Sequence, residues 1–153
     1  MKKMNNKGFS LVELIIVIAI MAILAGALAP ALIKYIASSR RSADVNNANT
    51  LATAITSALQ DEDAYNDAAS SYASGSVIVP DSTNASGSFW ALVDENCSGG
   101  LDAVNKIKSK KDKNGSSLSN VSAFTMKFDP TNNDLNIYIG SLEVYPNVDP
   151  AMK

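Results

Sequence analysis

The feature that most constrains this chain is an apolar run near its N-terminus, which carries no ionisable side chain over residues 14–33. At a helical rise of about 1.5 Å per residue, such a segment spans about 30 Å, the thickness of the hydrocarbon core of a bilayer. Glu13 directly precedes the run. A carboxylate carried into lipid costs about 2 to 3 kcal/mol, so we expect Glu13 to meet a cation, to be protonated or to stay at the membrane interface.

Length and composition limit what the rest of the chain can be. The chain has 153 residues, which leaves roughly 90 to 110 for one small domain outside the membrane. The formal net charge of −2 argues against a nucleic-acid partner, because nucleic-acid-binding domains carry a concentrated positive field. Histidine is absent, which removes the commonest general base and the commonest zinc ligand. We therefore predict no enzyme activity, no metal site and no cofactor.

Three kinds of segment can begin with such an apolar run: a secretory signal peptide, a plain membrane anchor, and a processed segment whose helix survives cleavage. Ala27 and Ala29 fit the small-x-small pattern of a signal-peptide site, but the apolar run continues past them. Pro30 would follow that scissile bond, where its fixed φ and missing N–H disturb the extended backbone that a peptidase binds. A plain anchor explains the length of the run but gives no role to Glu13.

The third alternative rests on a family resemblance. The sequence KGFSLVE at residues 7–13, preceded by a short basic leader, resembles the class III signal of type IV pilins and pseudopilins. The resemblance implies that a prepilin peptidase cleaves between Gly8 and Phe9 and methylates the amine of Phe9. It also places the conserved glutamate of that family on Glu13 and its helix-kinking proline on Pro30. The resemblance covers residues 7–39.

The residues themselves suggest how this segment assembles. Cleavage after Gly8 creates a positively charged amine on Phe9, which is the cation that Glu13 requires. Pairing Phe9 of one subunit with Glu13 of the next satisfies both groups and sets the axial register. Pro30 cannot donate a hydrogen bond to the carbonyl of Gly26, so these two residues form a soft point in the helix. That point is either a tolerated kink or, as the resemblance implies, a region that loosens when subunits pack.

The predicted organisation has four parts: a leader at residues 1–8, a transmembrane or filament-core helix at 9–33, an amphipathic helix at 34–60 and a globular head at 61–153. Apolar residues spaced three and four apart mark the amphipathic helix between residues 48 and 59. We expect one continuous helix from about Ser10 to Gln60, ending at the acidic residues 61–63. The predicted fold class is α+β, with the second half of this helix packed against a small antiparallel sheet.

Within the head, residues 64–88 are predicted to form a connecting loop with a strand at 77–79, and residues 88–96 a short helix or turn with Trp90 in the core. Alternating apolar residues then predict three antiparallel strands, joined by turns at 129–134 and 140–141. The apolar positions of these strands are Phe124, Met126, Phe128, Leu135, Ile137, Ile139, Leu142 and Val144.

The end of the chain has no covalent staple. Cys97 is the single cysteine, so it forms no intramolecular disulfide and is expected to be a buried structural residue. The tail at residues 146–153 is predicted to pack loosely or to lie at a subunit contact. Many Gram-negative pilins close this region with a disulfide, so its absence favours a Gram-positive source.

Charged residues outside the helix have mostly ordinary interpretations. A basic cluster is predicted to be a solvated loop, because no aromatic residues alternate with its lysines to stack on bases; DNA, surface polymers and acids of a neighbouring subunit are its alternative partners. Its members are Lys106, Lys108, Lys110, Lys111 and Lys113. Arg40 and Arg41 are interface residues that could meet lipid phosphates or a neighbour's acids. Oxygen-bearing residues at 129–134 match no calcium loop, so no metal is predicted there.

The resemblance implies a structural subunit of a type IV pilus, held in the cytoplasmic membrane as a single-pass precursor and then assembled into a surface filament for adhesion, motility or aggregation. Basic residues flank both ends of the apolar run equally, so the external position of the head rests on the resemblance. The implied partners are further copies of the chain, the prepilin peptidase, an assembly ATPase, a platform protein and minor pilins. The alternatives are a pseudopilin of type II secretion or DNA uptake, and a membrane-tethered surface-binding module.

Overall fold

The computed structural model describes residues 9–73 and 75–153, so the predicted leader lies outside the described residues. The chain divides into an N-terminal unit that ends at Ile36 and a C-terminal unit, Ala37–Lys153. The first helix, α1, covers Leu11–Ala58 and therefore belongs to both units. The prediction of one long helix is confirmed, with its end two residues before the predicted one at Gln60.

The N-terminal unit exposes its apolar side chains. Every described residue up to Ile36 is exposed, and Phe9 retains 89% of its accessible surface. The most apolar window of α1 has a mean hydropathy of 2.8, and by length and composition this helix could cross a membrane. An apolar surface of this extent is unfavourable in water, so the unit requires lipid or protein to cover it.

The C-terminal part of α1 contributes to the core of the C-terminal unit. The predicted apolar stripe is confirmed, since the small and branched residues spaced three and four apart are buried. These residues are Ala48, Leu51, Ala52, Ile55 and Ala58, each at most 1% exposed. They belong to the same hydrophobic cluster as the inward-facing residues of the sheet.

A second helix, α2, covers Glu62–Tyr72, so the prediction of a loop over residues 64–88 is wrong. Asp61 is the N-cap residue, and its Oδ1 accepts a hydrogen bond from the backbone N–H of Ala64 at 3.0 Å. Glu62 and Asp63 lie in the first turn, where the helix dipole favours negative charge. The acids that end α1 therefore also begin α2. Ala68, one turn further, is fully buried.

Two shorter helices complete the helical part of the C-terminal unit. Helix α3 covers Gly87–Asn96, which confirms the predicted short helix, and α4 covers Leu101–Val104. Trp90 is 2% exposed, and its ring centroid lies 4.8 Å from that of Phe89 and 5.8 Å from that of Tyr72. Trp90 is a core residue, as predicted.

Four antiparallel strands form one sheet in the order β1-β2-β3-β4. They are β1 (Ser76–Ile78), β2 (Thr125–Asp129), β3 (Asp134–Ile139) and β4 (Leu142–Tyr145). The apolar positions predicted for β2 and β3 are all buried, and Met126 is paired with Ile137 across the two strands. Gly140 adopts φ 62° in the tight turn between β3 and β4, a conformation that glycine reaches without strain.

The C-terminal tail is tightly packed, so the prediction of loose packing is wrong. A short 3₁₀ helix covers Pro150–Met152, and the side chain of Met152 is 1% exposed. The carbonyl of Ala151 accepts a hydrogen bond from the backbone N–H of Lys113 at 2.7 Å. Asp149 caps the 3₁₀ helix by accepting from the N–H of Ala151 at 2.7 Å. A buried methionine and these backbone bonds replace the missing disulfide.

Candidate assembly site

The carboxylate of Glu13 caps its own helix. Glu13 Oε2 accepts a hydrogen bond from the backbone N–H of Ser10 at 2.8 Å, and the carbonyl of Ser10 accepts from the N–H of Leu14 at 3.2 Å. A glutamate in the third helical position that reaches back to the N-cap N–H is one half of a capping box. Our sequence analysis missed this role, although a serine followed by a glutamate three residues later is its signature.

The capping bond leaves Glu13 able to accept a further partner. An ionised carboxylate has about four acceptor positions, and the bond to Ser10 occupies one of them. Glu13 is exposed, and so is Phe9, the residue before Ser10. Gly8 lies outside the described residues, so the predicted scissile bond between Gly8 and Phe9 does too. The structure thus brings Phe9, Ser10 and Glu13 together at the start of α1.

Pro30 lies inside α1, which continues through it as an α-helix. Proline has no backbone N–H, so the carbonyl of Gly26 receives no hydrogen bond from the residue four positions later. A Cβ placed on Gly26 would meet nothing within 4 Å, so open space surrounds this turn. The weakened turn is therefore present, and its role in assembly stays a prediction.

Comparison with known proteins agrees with the N-terminal motif. The family described as the prokaryotic N-terminal methylation motif matches residues 3–29. Over 63 residues the chain is 43% identical to the type IV major pilin protein PilA of Myxococcus xanthus. The N-terminal segment is of the type IV pilin kind. That alignment covers 41% of this chain and 29% of the relative, so the chain spans less than a third of the relative's length. No solved structure matches the chain significantly.

The pilin-type segment with its apolar helix fits a membrane-anchored precursor that is later assembled into a surface filament. It also implies a structural protein. The comparisons do not test a Gram-positive source, which stays a prediction from the lone cysteine.

Beyond the pilin-type segment, a buried carboxylate of α1 holds the loop that contains the basic cluster. Asp44 is 0% exposed, and its two oxygens accept hydrogen bonds from the backbone N–H groups of Lys108 at 2.8 Å and Ser109 at 2.7 Å. The five lysines of the cluster are exposed, as predicted for a solvated loop. The loop is nevertheless held against α1, a relation that no sequence pattern indicated.

The same loop brings together basic residues that are distant in sequence. A cavity of about 180 Å³ is lined by Ala37 and Arg40 of α1 and by Ser109, Lys110 and Lys111 of the loop. We call it the Ser109 cavity. Sequence analysis considered Arg40 and the lysines separately, because residues 40 and 110 share no local pattern.

The acidic turn between β2 and β3 uses its oxygens internally. Asp129 accepts from the N–H of Thr131 and from the side-chain amide of Asn132, each at 2.9 Å. These hydrogen bonds, that from the Thr131 backbone first, lower the pKa of Asp129. Across residues 9–73 and 75–153, no group of three or more histidine, cysteine or acidic residues is placed to hold a metal ion.

Cys97 ends α3 and is 4% exposed. Burial, with a smaller contribution from the charge of Asp94, raises the pKa of the Cys97 thiol to about 11. Because the thiolate is the reactive form, the thiol is inert near neutral pH. Cys97 is thus a buried structural residue, as the sequence analysis predicted.

Proposed function

We propose that this chain is a structural subunit of a type IV pilus, which waits in the membrane as a precursor and then polymerises through its N-terminal helix. The observation that carries the proposal is that an exposed apolar helix follows directly on the prepilin motif. The hydrophobic cluster of the C-terminal unit contains no residue before Val45. The apolar helix therefore serves something other than the core of its own chain.

Lipid covers this helix in the precursor, and helices of neighbouring subunits cover it in the filament. Each buried branched or aromatic side chain is worth about 1.5 to 3 kcal/mol relative to exposure in water, so either cover is strongly favoured over water. Moving the helix from lipid to protein yields little further hydrophobic energy, because lipid tails are as apolar as leucine. An assembly ATPase and a platform protein supply the work of extraction in this proposal.

Phe9 and Glu13 guide the packing of one helix beside the next. A prepilin peptidase removes residues 1–8 and methylates the amine of Phe9, leaving a cation at the end of the helix. The capping bond from Ser10 holds Glu13 at the start of α1 in the single chain. Glu13 then accepts the Phe9 amine of an adjacent copy through its remaining lone pairs. The soft turn at Gly26 and Pro30 lets the helix adjust as it packs.

The filament serves adhesion, motility or aggregation, and minor pilins join it. The chain itself has no catalytic part in this scheme, no cofactor and no nucleic-acid partner.

The proposal is tested by analysing fibres sheared from cells that express the chain. We expect the chain to be their bulk component and its N-terminal peptide to begin with methylated Phe9 in mass spectrometry. The Gly8→Val variant should stay unprocessed in the membrane, whereas the leader variant Asn5→Ala should be processed normally. A mature N-terminus without sheared fibres would indicate a pseudopilin. A chain that keeps its leader and stays with the membrane would indicate a tethered binding module, and either result would refute the proposal.

A further inference from the structure

We propose that the Ser109 cavity binds the phosphate group of an anionic membrane lipid. The cavity lies entirely within the C-terminal unit, between the part of α1 that contains Arg40 and the loop that contains Lys110 and Lys111. Its volume of about 180 Å³ can accept a single phosphate group with part of its headgroup. Three observations support this ligand: an unpaired buried hydroxyl, three converging cations and the position of Arg40 in the chain.

The hydroxyl of Ser109 is the first observation. Ser109 is 5% exposed and lines the cavity, and its Oγ is buried without a hydrogen-bond partner. Buried polar atoms in folded proteins almost always have a partner, because desolvating an unpaired one is costly. The backbone N–H of Ser109 is already bonded to Asp44, so the hydroxyl is the part of this residue left to bind a ligand. A hydroxyl donates readily to a phosphate oxygen.

The charges around the cavity favour an anion with several oxygens. Arg40, Lys110 and Lys111 contribute a guanidinium and two ammonium groups to its lining. The planar fork of arginine matches the geometry of phosphate, and lysines add point charges. Asp44 is the nearby acid on α1, and its two oxygens are engaged by the backbone N–H groups of Lys108 and Ser109. The cavity therefore presents cations to a ligand.

The sequence position of Arg40 selects a lipid as the source of the phosphate. Arg40 follows the uncharged run at residues 14–33 by about two helical turns. When that run occupies the hydrocarbon core, the chain at Arg40 is within reach of the headgroup layer, which adds about 5 to 8 Å on each side of the core. This inference rests on the membrane-bound stage of the proposed function, but not on filament formation.

The test uses the full chain in maltoside micelles, which contain no phosphate. Amide resonances of Ser109, Lys110 and Lys111 are followed by NMR during titration with short-chain phosphatidylglycerol, inorganic phosphate or acetate. We expect saturable shifts with phosphatidylglycerol at lower concentration than with inorganic phosphate. Arg40→Gln and the double variant Lys110→Gln, Lys111→Gln should each weaken lipid binding by roughly three- to tenfold, as loss of charge-assisted hydrogen bonds predicts. Lys113→Gln is the matched control, because Lys113 is an exposed lysine of the same loop outside the cavity lining.

Ser109→Ala separates binding from folding. Removing an unpaired buried hydroxyl should leave the fold at least as stable, while lipid binding weakens. Failure to saturate with phosphatidylglycerol would overturn the inference, and so would equal weakening by Lys113→Gln, which indicates non-specific attraction. Stronger binding of inorganic phosphate than of lipid would exclude the lipid source. Stronger binding of acetate would point instead to a carboxylate of a neighbouring subunit. None of these outcomes depends on fibres, so the result is distinguishable from failure of the proposed function.

Discussion

Asp44 and Ser109 are 65 positions apart in the sequence, yet the carboxylate of Asp44 accepts the backbone N–H of Ser109 at 2.7 Å. Asp44 accepts a second backbone N–H, that of Lys108, at 2.8 Å. A fully buried carboxylate of the long helix thus anchors a loop from the opposite half of the chain. It also sets the position of the Ser109 cavity, because Ser109 and Lys110 belong to that loop.

We expect Asp44→Ala to destabilise the C-terminal unit by about 2 to 4 kcal/mol, because two buried N–H groups lose a charged acceptor. The measurement is urea unfolding of the full chain in maltoside, followed by the fluorescence of the buried Trp90. Asn46→Ala, at an exposed position of the same helix, should change stability by less than about 0.5 kcal/mol. Equal stability of the two variants would show that the Asp44 hydrogen bonds contribute little.

Replacing Met152 tests whether the tail belongs to the core. Met152→Ala should cost about 2 to 4 kcal/mol of unfolding free energy, because it opens a cavity beside buried residues. Lys153→Ala, one residue further and exposed, should be neutral. The same unfolding assay measures both variants. A neutral Met152→Ala would support the loosely packed tail that the sequence suggested.

Two substitutions at Glu13 separate its capping role from its charge. Glu13→Gln keeps an oxygen that can accept the N–H of Ser10, whereas Glu13→Ala removes both the acceptor and the charge. If the charge pairs with the Phe9 amine of a neighbour, both variants should be processed largely normally and yet be poorly incorporated into fibres. The measurement is the amount of chain in the sheared fraction, with N-terminal mass as the control for processing. Normal incorporation of Glu13→Gln would show that the cap alone suffices.

The buried thiol of Cys97 predicts a pH-dependent reactivity. Its pKa is raised from 9.0 to about 11, so iodoacetamide should label the folded chain very slowly at pH 8 and the urea-unfolded chain much faster. A raised pKa in the folded state means that the contribution of Cys97 to stability is complete below about pH 9 and is lost as the pH rises towards 11. Labelling is read by mass spectrometry. Rapid labelling of the folded chain at pH 8 would contradict the burial.

Local patterns were sufficient for the elements whose side chains repeat regularly. The uncharged run and the apolar stripe predicted α1, and alternation predicted β2 and β3 with the correct residues inward. Helix α2 was missed because its polar sequence, EDAYNDAASSY, has the composition of a loop. Its N-cap at Asp61 was a usable signal, but the acids there were interpreted only as the end of α1.

The sequence by itself determined that this chain has a membrane-length helix, a prepilin-type N-terminus and an antiparallel sheet, because these follow from charge, length and short-range periodicity. Only the tertiary structure decided which polar groups are buried and what they bind. Asn105 is an example: its amide donates to the carbonyl of Val79 at 2.7 Å and accepts from the N–H of Phe124 at 2.9 Å. Such contacts join segments far apart in the chain, so their partners exist only once the core has closed and excluded water.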